Sequence, residues 1–375
     1  SQGVSDANGI GDFNYIESGF LALCSQNLPD VDIIDGTENF NTVTYTGNGS
    51  SRSITGVGFS PDWIWFKARS GAIAHLLYDS VRGATKYLQS NSTSAEGTEA
   101  NSQTSFDSDG FSLGTDSTTG VNQNSTTYVA WNWLAGTAFS NDASATGVGT
   151  IDSEGQVNAT AGFSIIGYTG TGSAGTIAHG LSAAPEMLII KERNATSQWV
   201  VGHHNLDASA PFDKGLYLDD DRAVYDDASN FNDTAPTSTV FSVGTGGYVN
   251  DSSNTYICYA FHSVEGYSKV GSYVGNGSAD GPFIHTGFRP AWIMIKNITD
   301  SGEDWEIHDA TRDPFNVTTK RLKPNASGAE VTATFLDFVS SGVKLRSTGG
   351  GYNASGKTFI YLAFAESPFK FANAR

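Results

Sequence analysis

Phe59-Ser-Pro-Asp-Trp-Ile-Trp-Phe-Lys67, preceded by Tyr45-Thr-Gly-Asn-Gly49, is a stretch that the chain repeats twice more in altered form. The second version is Tyr168-Thr-Gly-Thr-Gly172 with Leu181-Ser-Ala-Ala-Pro-Glu-Met-Leu-Ile-Ile-Lys191. The third is Tyr273-Val-Gly-Asn-Gly277 with Phe288-Arg-Pro-Ala-Trp-Ile-Met-Ile-Lys296. A step of about 100 residues is too long for a solenoid unit and is long enough for a domain. We call the three versions copy 1, copy 2 and copy 3.

Each copy contains the same series of strand signals. An opening strand ends in a glycine turn, an apolar run follows the proline, and an aromatic strand closes the copy: Tyr128–Trp133, Tyr256–Phe261 and Phe359–Phe364. Short apolar runs between Gly, Asn and Ser turns, without helical periodicity, are typical of antiparallel strands. The sequence therefore predicts an all-β fold of three tandem antiparallel β-sandwich repeats, jelly-roll or concanavalin-like, of about 100 residues each.

The repeats also predict the organisation of the chain. An irregular segment covers 1–38, copy 1 covers 39–138, a linker or exposed loop covers 139–161, copy 2 covers 162–266 and copy 3 covers 267–375. The linker is rich in Ser, Thr, Gly and Asp, which is typical of exposed loops. Because copy 3 begins directly after copy 2, we expect these two copies to form a fused pair, with copy 1 apart from them.

The chain is strongly acidic: 39 Asp and Glu residues against 21 Lys and Arg give a formal net charge of −18. Nucleic-acid binding needs a basic surface, so we predict no nucleic-acid partner. No apolar run approaches the length of a transmembrane helix, so we predict no membrane insertion.

Residues that all three copies share are expected to serve the fold. The three prolines begin a buried strand and the three lysines end it, where they can form salt bridges or extend toward solvent. Three asparagines stand six residues before the closing strand and are expected to bond the backbone in turns: Asn122, Asn250 and Asn353.

Aromatic rings offer a different role, because a ring face stacks on a pyranose. Trp199 and Trp305 occupy matching positions in copies 2 and 3, and His203 and His308 lie on the same strands. We take these four residues as candidate carbohydrate-binding residues. Both tryptophans begin strands, so packing in the core is the alternative.

Catalytic and metal sites are not indicated. Glu306 and Asp309 are three residues apart, so on a strand they face opposite sides and do not form the carboxylate pair of a glycosidase. The histidines lack metal-ligand spacing. We predict no catalytic residue and no metal site. Asp107-x-Asp-Gly110 resembles the start of a calcium loop, but Thr118 stands where the bidentate glutamate should be, so a Ca²⁺ ion is left open only at the acidic run 219–227.

Three segments resemble a known kind of protein. They are 8–30, Val129-Ala-Trp-Asn-Trp-Leu-Ala-Gly136, and 261–283, which begins Phe261-His-Ser-Val-Glu-Gly-Tyr-Ser-Lys269. They are similar to segments of large virion-associated proteins of marine tailed phages, including cyanophages and pelagiphages. In those proteins a SPRY or concanavalin-like lectin domain often precedes the equivalent of Asn8. The resemblance implies a β-rich repeat on the virion surface, and it supplies no catalytic residues.

From these observations we expect a noncatalytic phage virion structural protein: a fibre, spike or capsid decoration that contacts other virion proteins. Phage appendages are commonly trimers, so the resemblance implies a homotrimer. A carbohydrate-binding receptor or adhesin module that binds host-surface glycans is the first alternative. A microbial surface filament protein and a polysaccharide-degrading enzyme are the others.

Overall fold

The computed structural model describes residues 4–11, 20–22, 24–28, 30–116 and 118–370. Part of the predicted segment 1–38 and residues 371–375 of copy 3 lie outside the described residues. In the described part, regular structure is almost entirely antiparallel strand, so the predicted all-β class is confirmed. The 3-10 helices described are Ser25–Asn27, Gly36–Glu38 and Pro211–Asp213.

Copy 1 forms two sheets that enclose an apolar interior. Its strands are β1 (Phe40–Thr46), β2 (Arg52–Thr55), β3 (Trp63–Ala68), β4 (Leu76–Asp79), β5 (Lys86–Tyr87), β6 (Gly97–Thr98), β7 (Gln103–Asp107), β8 (Gly110–Leu113) and β9 (Thr127–Trp133). The main sheet has the order β1-β9-β3-β4, and the second sheet has the order β2-β8-β7. Side chains from both sheets form one buried cluster between them.

The prediction of 139–161 as a linker or exposed loop is wrong, because the segment contributes strand residues to a sheet at both ends of a short helix. β10 (Thr137–Asn141), α1 (Ala143–Thr146) and β11 (Ser153–Asn158) follow copy 1. β11 pairs with β10 on one side and with the opening strand of copy 2 on the other. β10 is the edge strand of this sheet, where polar and charged residues are typical.

Copy 2 repeats the main-sheet order of copy 1. Its elements are β12 (Phe163–Thr169), β13 (Gly175–Ala178), β14 (Met187–Glu192), β15 (Trp199–His203), β16 (Lys214–Tyr217), β17 (Tyr225–Asp226), α2 (Ala228–Phe231), β18 (Val240–Val243), α3 (Gly247–Asn250) and β19 (Thr255–Phe261). The order β12-β19-β14-β15 matches β1-β9-β3-β4, and β10, β11, β16 and β17 extend this sheet to eight strands. β13 and β18 form the second sheet.

Copy 3 has the same arrangement again. Its elements are β20 (Ser268–Val274), β21 (Phe283–His285), β22 (Phe288–Asn297), β23 (Glu306–Asp309), β24 (Thr318–Arg321), β25 (Val331–Val339), β26 (Gly342–Leu345), α4 (Gly350–Asn353) and β27 (Thr358–Pro368). The main sheet has the order β20-β27-β22-β23, and the second sheet has the order β21-β26-β25-β24.

The three main sheets pack around one central core. Aromatic side chains at the matching ends of β9, β19 and β27 meet there: the ring centroids of Trp133 and Phe364 are 5.7 Å apart, and those of Phe261 and Phe364 are 6.0 Å apart. Trp63 of copy 1 lies 6.1 Å from Phe261. All three copies therefore share a core, and the expected pairing of copies 2 and 3 apart from copy 1 is wrong.

Burial on both faces explains why the strands of the main sheets read as nearly continuous apolar runs. In β3, Trp63 and Trp65 point into the central core, whereas Ile64 and Phe66 point into the interior of copy 1. Alternate residues of a strand face opposite sides, so a sheet with two covered faces needs apolar residues at every position.

Candidate functional site

The four predicted carbohydrate-binding residues lie inside the protein. Trp199, Trp305, His203 and His308 are each at most 1% exposed. The indole nitrogen of Trp199 donates to the Gln89 carbonyl of copy 1, and that of Trp305 donates to the Tyr217 carbonyl of copy 2. A buried ring offers no face to a sugar, so the prediction is wrong at all four residues and the core alternative holds for the tryptophans.

The shared lysines instead join neighbouring copies. Lys67, Lys191 and Lys296 are fully buried, and each ammonium donates to backbone carbonyls rather than to a carboxylate. One acceptor of each lysine belongs to a neighbouring copy: Ser327 of copy 3 for Lys67 at 3.1 Å, Thr93 of copy 1 for Lys191 at 3.2 Å and Asp221 of copy 2 for Lys296 at 3.3 Å. The predicted salt bridge or extension toward solvent is therefore replaced by a carbonyl cage between copies.

Burial lowers the pKa of each of these lysines from 10.5 to about 8. The unfolded chain then binds more protons than the folded chain between pH 8 and 10.5, so this contribution makes stability rise with pH in that window. We compare the unfolding free energy of the native chain with that of Lys191→Met. The native value minus the variant value should increase by about 1 kcal/mol per pH unit between pH 8 and 9.5. Urea titrations at several pH values measure the difference, and Lys67→Met and Lys296→Met should give the same sign. A difference that shrinks as the pH rises would contradict the prediction.

The shared asparagines bond the backbone of the turns, as predicted. The side-chain amide of Asn122 donates to the Ser50 and Gly114 carbonyls, both at 2.8 Å, and its oxygen accepts from the Asn48 amide. Asn250 and Asn353 make the matching bonds in the other copies. In the same turn, a Cβ at position 47 would collide with the Gln123 carbonyl, which explains why glycine occupies this position.

A buried polar network joins copies 1 and 2. Arg82 and Asp79 are paired with no side-chain exposure, at 2.5 Å between Nε and Oδ2. The Tyr259 hydroxyl of copy 2 donates to the same Asp79 oxygen at 2.7 Å. Nearby, Arg193 of copy 2 donates to Glu96 of copy 1 at 2.9 Å. The interface therefore combines a fully buried ion pair within copy 1, which accepts a hydrogen bond from copy 2, with a partly exposed ion pair that crosses it.

A matching network joins copies 1 and 3. Arg312 and Asp309 pair at 2.5 Å, again with no side-chain exposure, and the Trp131 indole nitrogen of copy 1 donates to Asp309 at 3.0 Å. Arg69 of copy 1 holds Glu330 with two hydrogen bonds of 3.0 Å. Glu330 also accepts from Arg312 at 3.0 Å, so the network is continuous from the core to the rim.

The interface between copies 2 and 3 replaces these polar groups. On the copy 2 side, His203, Leu206 and Val224 stand where the other interfaces have an aspartate, an arginine and a glutamate. On the copy 3 side, Leu362 replaces the Trp or Tyr hydrogen-bond donor, and Ile298 replaces the second arginine. Leu206, Ile298 and Leu362 belong to the central apolar core, with Val224 packed against it. Burial lowers the pKa of His203 to about 3, so the imidazole is neutral there.

Sequence reasoning missed these interface networks although a signal was present. Asp79-Ser-Val-Arg82 and Asp309-Ala-Thr-Arg312 have the same spacing after matching strands, and His203 with Leu206 has replaced both members in copy 2. The partners across the interfaces could not be found in the same way, because Glu96 and Glu330 lie in loops of different length.

A second group of buried titratable residues lies inside copy 3. Glu306 accepts a hydrogen bond from Arg321 at 2.9 Å, and the His308 ring lies 3.0 Å from the Tyr352 hydroxyl. Burial raises the pKa of Glu306 to about 7. As predicted, Glu306 and Asp309 face opposite sides: Glu306 lies near Gly351 and Tyr352 within copy 3, and Asp309 lies at the interface with copy 1.

The acidic segments considered for Ca²⁺ are engaged by protein donors. Asp107 accepts from the Ser105 and Ser112 hydroxyls, and Asp109 accepts from the Gly56 and Gly58 amides. Asp219 accepts from the Trp199 amide, and Asp226 pairs with Lys214. Within the described ranges, no group of three His, Cys, Asp or Glu side chains is placed to hold a metal ion.

One open groove lies beside the interface of copies 1 and 2. It has a volume of about 570 Å³ and lies where β10, β11 and α1 extend the main sheet of copy 2 past Val81 of copy 1. Its lining is mainly polar and includes Asp142, Asp152, Glu154, Arg193 and several threonines. Hydrogen bonds from the Ser144 hydroxyl and the Ala145 amide lower the pKa of Asp142.

These features define a class of all-β protein in which three similar units in one chain close around a shared core. A family model matches residues 35–368, a range that takes in all three main sheets, and the chain belongs to that family, which is described as a domain of unknown function, DUF7483. Comparison with curated proteins and with solved structures gives no match. No helix in the described part of the chain is long and apolar enough to cross a membrane.

Proposed function

We propose that this protein is a noncatalytic structural component of a phage virion, a fibre, spike or capsid decoration on the particle surface. The observation that carries the proposal is the use of the shared residues: the lysines, asparagines and core aromatics of every copy serve turns, interfaces and the common core. The resemblance of 8–30, 129–136 and 261–283 to phage virion proteins supports the same role.

Purified particles test this proposal directly. We expect mass spectrometry of gradient-purified virions to detect the chain at a constant ratio to the major capsid protein, and antibodies to label the particle surface. Particles that lack the chain, or labelling confined to infected cells, would refute the structural role.

The expected trimer takes a different form in this proposal. We propose that one chain supplies a threefold unit by itself, because its three main sheets already close around one core. Light scattering on the purified protein is expected to give the mass of one chain. A mass of three chains would instead support the homotrimer implied by the resemblance.

Binding of host-surface glycans is a second candidate function, and the groove beside copies 1 and 2 favours it. Carboxylates and threonine hydroxyls line a space large enough for a short saccharide. We expect Glu154→Arg, which places a long cation in the groove, to lower glycan binding at least about tenfold, the loss of roughly one good polar contact. Glu154 is exposed, so this change should leave the fold intact.

A glycan array and host envelope polysaccharide are the probes, and Glu38→Arg, at an exposed site outside the groove, is the control. Absence of binding by the native chain, or an equal loss with Glu38→Arg, would exclude the groove as a glycan site. Release of reducing ends from the polysaccharide, measured in the same samples, would favour the depolymerase alternative.

A further inference from the structure

Each copy presents two different faces to its neighbours. The donor face carries two residues. One is the fourth residue of the aromatic closing strand, counted from its first aromatic residue, and the other stands two positions after the shared lysine. These pairs are Trp131 and Arg69 in copy 1, Tyr259 and Arg193 in copy 2, and Leu362 and Ile298 in copy 3. The acceptor face carries three residues: Asp79, Arg82 and Glu96 in copy 1, His203, Leu206 and Val224 in copy 2, and Asp309, Arg312 and Glu330 in copy 3.

The observed contacts match these faces in kind. The polar donor face of copy 1 meets the polar acceptor face of copy 3, through Trp131 and Asp309. The polar donor face of copy 2 meets the polar acceptor face of copy 1, through Tyr259 and Asp79. The apolar donor face of copy 3 meets the acceptor face of copy 2, which is apolar apart from the neutral His203 and lies against the central core.

One backbone hydrogen bond recurs at all three interfaces, so the side chains around it can be compared directly. The amide of Glu96 donates to the Arg193 carbonyl at 2.7 Å, that of Glu330 to the Arg69 carbonyl at 2.8 Å, and that of Val224 to the Ile298 carbonyl at 3.0 Å. This shared bond places the donor face and the acceptor face in the same register at each interface. The side chains beside it then differ in polarity from one interface to the next.

We infer that these side chains form a matching code which fixes the partner of every face and the cyclic order of the copies. In the reverse cyclic order, the polar donor face of copy 1 would meet the apolar acceptor face of copy 2, and the apolar donor face of copy 3 would meet the charged acceptor face of copy 1. A buried charge against an apolar surface is strongly unfavourable, so the mismatch excludes that order.

The code also distinguishes the three copies from one another. Copy 2 and copy 3 each combine one polar face with one apolar face, so neither matches another copy of itself. Copy 1 is polar on both faces, so its two faces are complementary to each other. Both faces of copy 1 are already occupied within the chain, by copy 3 through Trp131 and by copy 2 through Asp79.

The test moves the apolar code of copies 2 and 3 into the interface of copies 1 and 2 of the full chain. The donor-face variant is Tyr259→Leu with Arg193→Ile, the acceptor-face variant is Asp79→His with Arg82→Leu and Glu96→Val, and a third variant carries all five changes. Each half-variant faces an unmatched partner, whereas the five-residue variant reproduces the apolar set of the other interface. Urea unfolding followed by tryptophan fluorescence gives the equilibrium constant for unfolding.

We expect the unfolding constant of the five-residue variant to be at least about tenfold smaller than the value obtained if the two half-variants acted independently. A smaller set serves as a second measurement where a half-variant does not fold: Arg193→Ile, Glu96→Val and both together, at the rim where these side chains are 25% and 10% exposed. The double rim variant should unfold at a higher urea concentration than either single variant. Arg193→Ile combined with Glu38→Val, at an exposed position without contact to Arg193, should show independent effects. Independent effects in both the five-residue set and the rim set would overturn the code.

Discussion

Trp133→Ala is expected to lower the unfolding free energy by about 3–5 kcal/mol, the range for removing a large buried aromatic side chain. Trp133 is 1% exposed and contacts rings from two copies: Trp63 at 4.3 Å within copy 1, and Trp292 and Phe364, both at 5.7 Å, in copy 3. Replacing the Trp133 side chain by alanine therefore leaves a cavity in the core that all three copies share. We expect all three copies to unfold together in one transition at a lower urea concentration.

Circular dichroism and tryptophan fluorescence, recorded along the same urea titration, measure this effect. Phe315→Ala is the control, because Phe315 is 73% exposed and its loss should change stability by about 0.5 kcal/mol or less. Two separate transitions in Trp133→Ala, with the second unchanged from the native chain, would mean that copy 1 unfolds alone and that the core is not shared energetically.

Arg312→Leu is expected to cost about 3–5 kcal/mol, the effect of removing one partner from a buried ion pair. The change leaves the Asp309 carboxylate buried with the Trp131 indole as its remaining cross-copy partner, and it removes one of the two arginines that hold Glu330. An unpaired buried carboxylate has a raised pKa and the folded variant then binds more protons. The stability of the variant relative to the native chain should therefore improve as the pH is lowered from 8 to 5.

Arg222→Leu is the matched control, because the Arg222 side chain is 47% exposed in its pair with Asp220. An exposed ion pair contributes about 1 kcal/mol or less, so this variant should remain close to the native chain in stability. Equal losses in Arg312→Leu and Arg222→Leu would argue against a special role for the buried interface pair. The same result would weaken the matching code, which depends on the high cost of a buried unpaired charge.

The sequence determined the elements of each copy because their signals are local. Glycine turns, a proline before an apolar run and aromatic strand ends depend only on neighbouring residues. For that reason the opening strand, the run after the proline and the closing strand of each copy were predicted, together with the turn role of Asn122, Asn250 and Asn353. Comparison of the copies also separated shared residues from those present once, such as Glu306.

The prediction of a carbohydrate site was wrong because it depended on a property that is not local. A tryptophan that begins a strand has the same sequence signal whether its ring faces solvent or another domain, and burial by another domain is a nonlocal property. Only the packing of copy 2 on copy 1 places Trp199 against the Gln89 carbonyl, and only the packing of copy 3 on copy 2 places Trp305 against Tyr217.

The sequence by itself determined that this protein is all-β and that three similar units lie along one chain. The tertiary structure decided that these units close around a common core, that 139–161 contributes strands to copy 2, and that the shared lysines join neighbouring copies. Strand formation depends on residues near one another in the chain, whereas an interface depends on residues brought together from separate copies. For that reason the Asp-x-x-Arg pairs were visible in the sequence, but Tyr259, Trp131 and the glutamates that complete their networks were not.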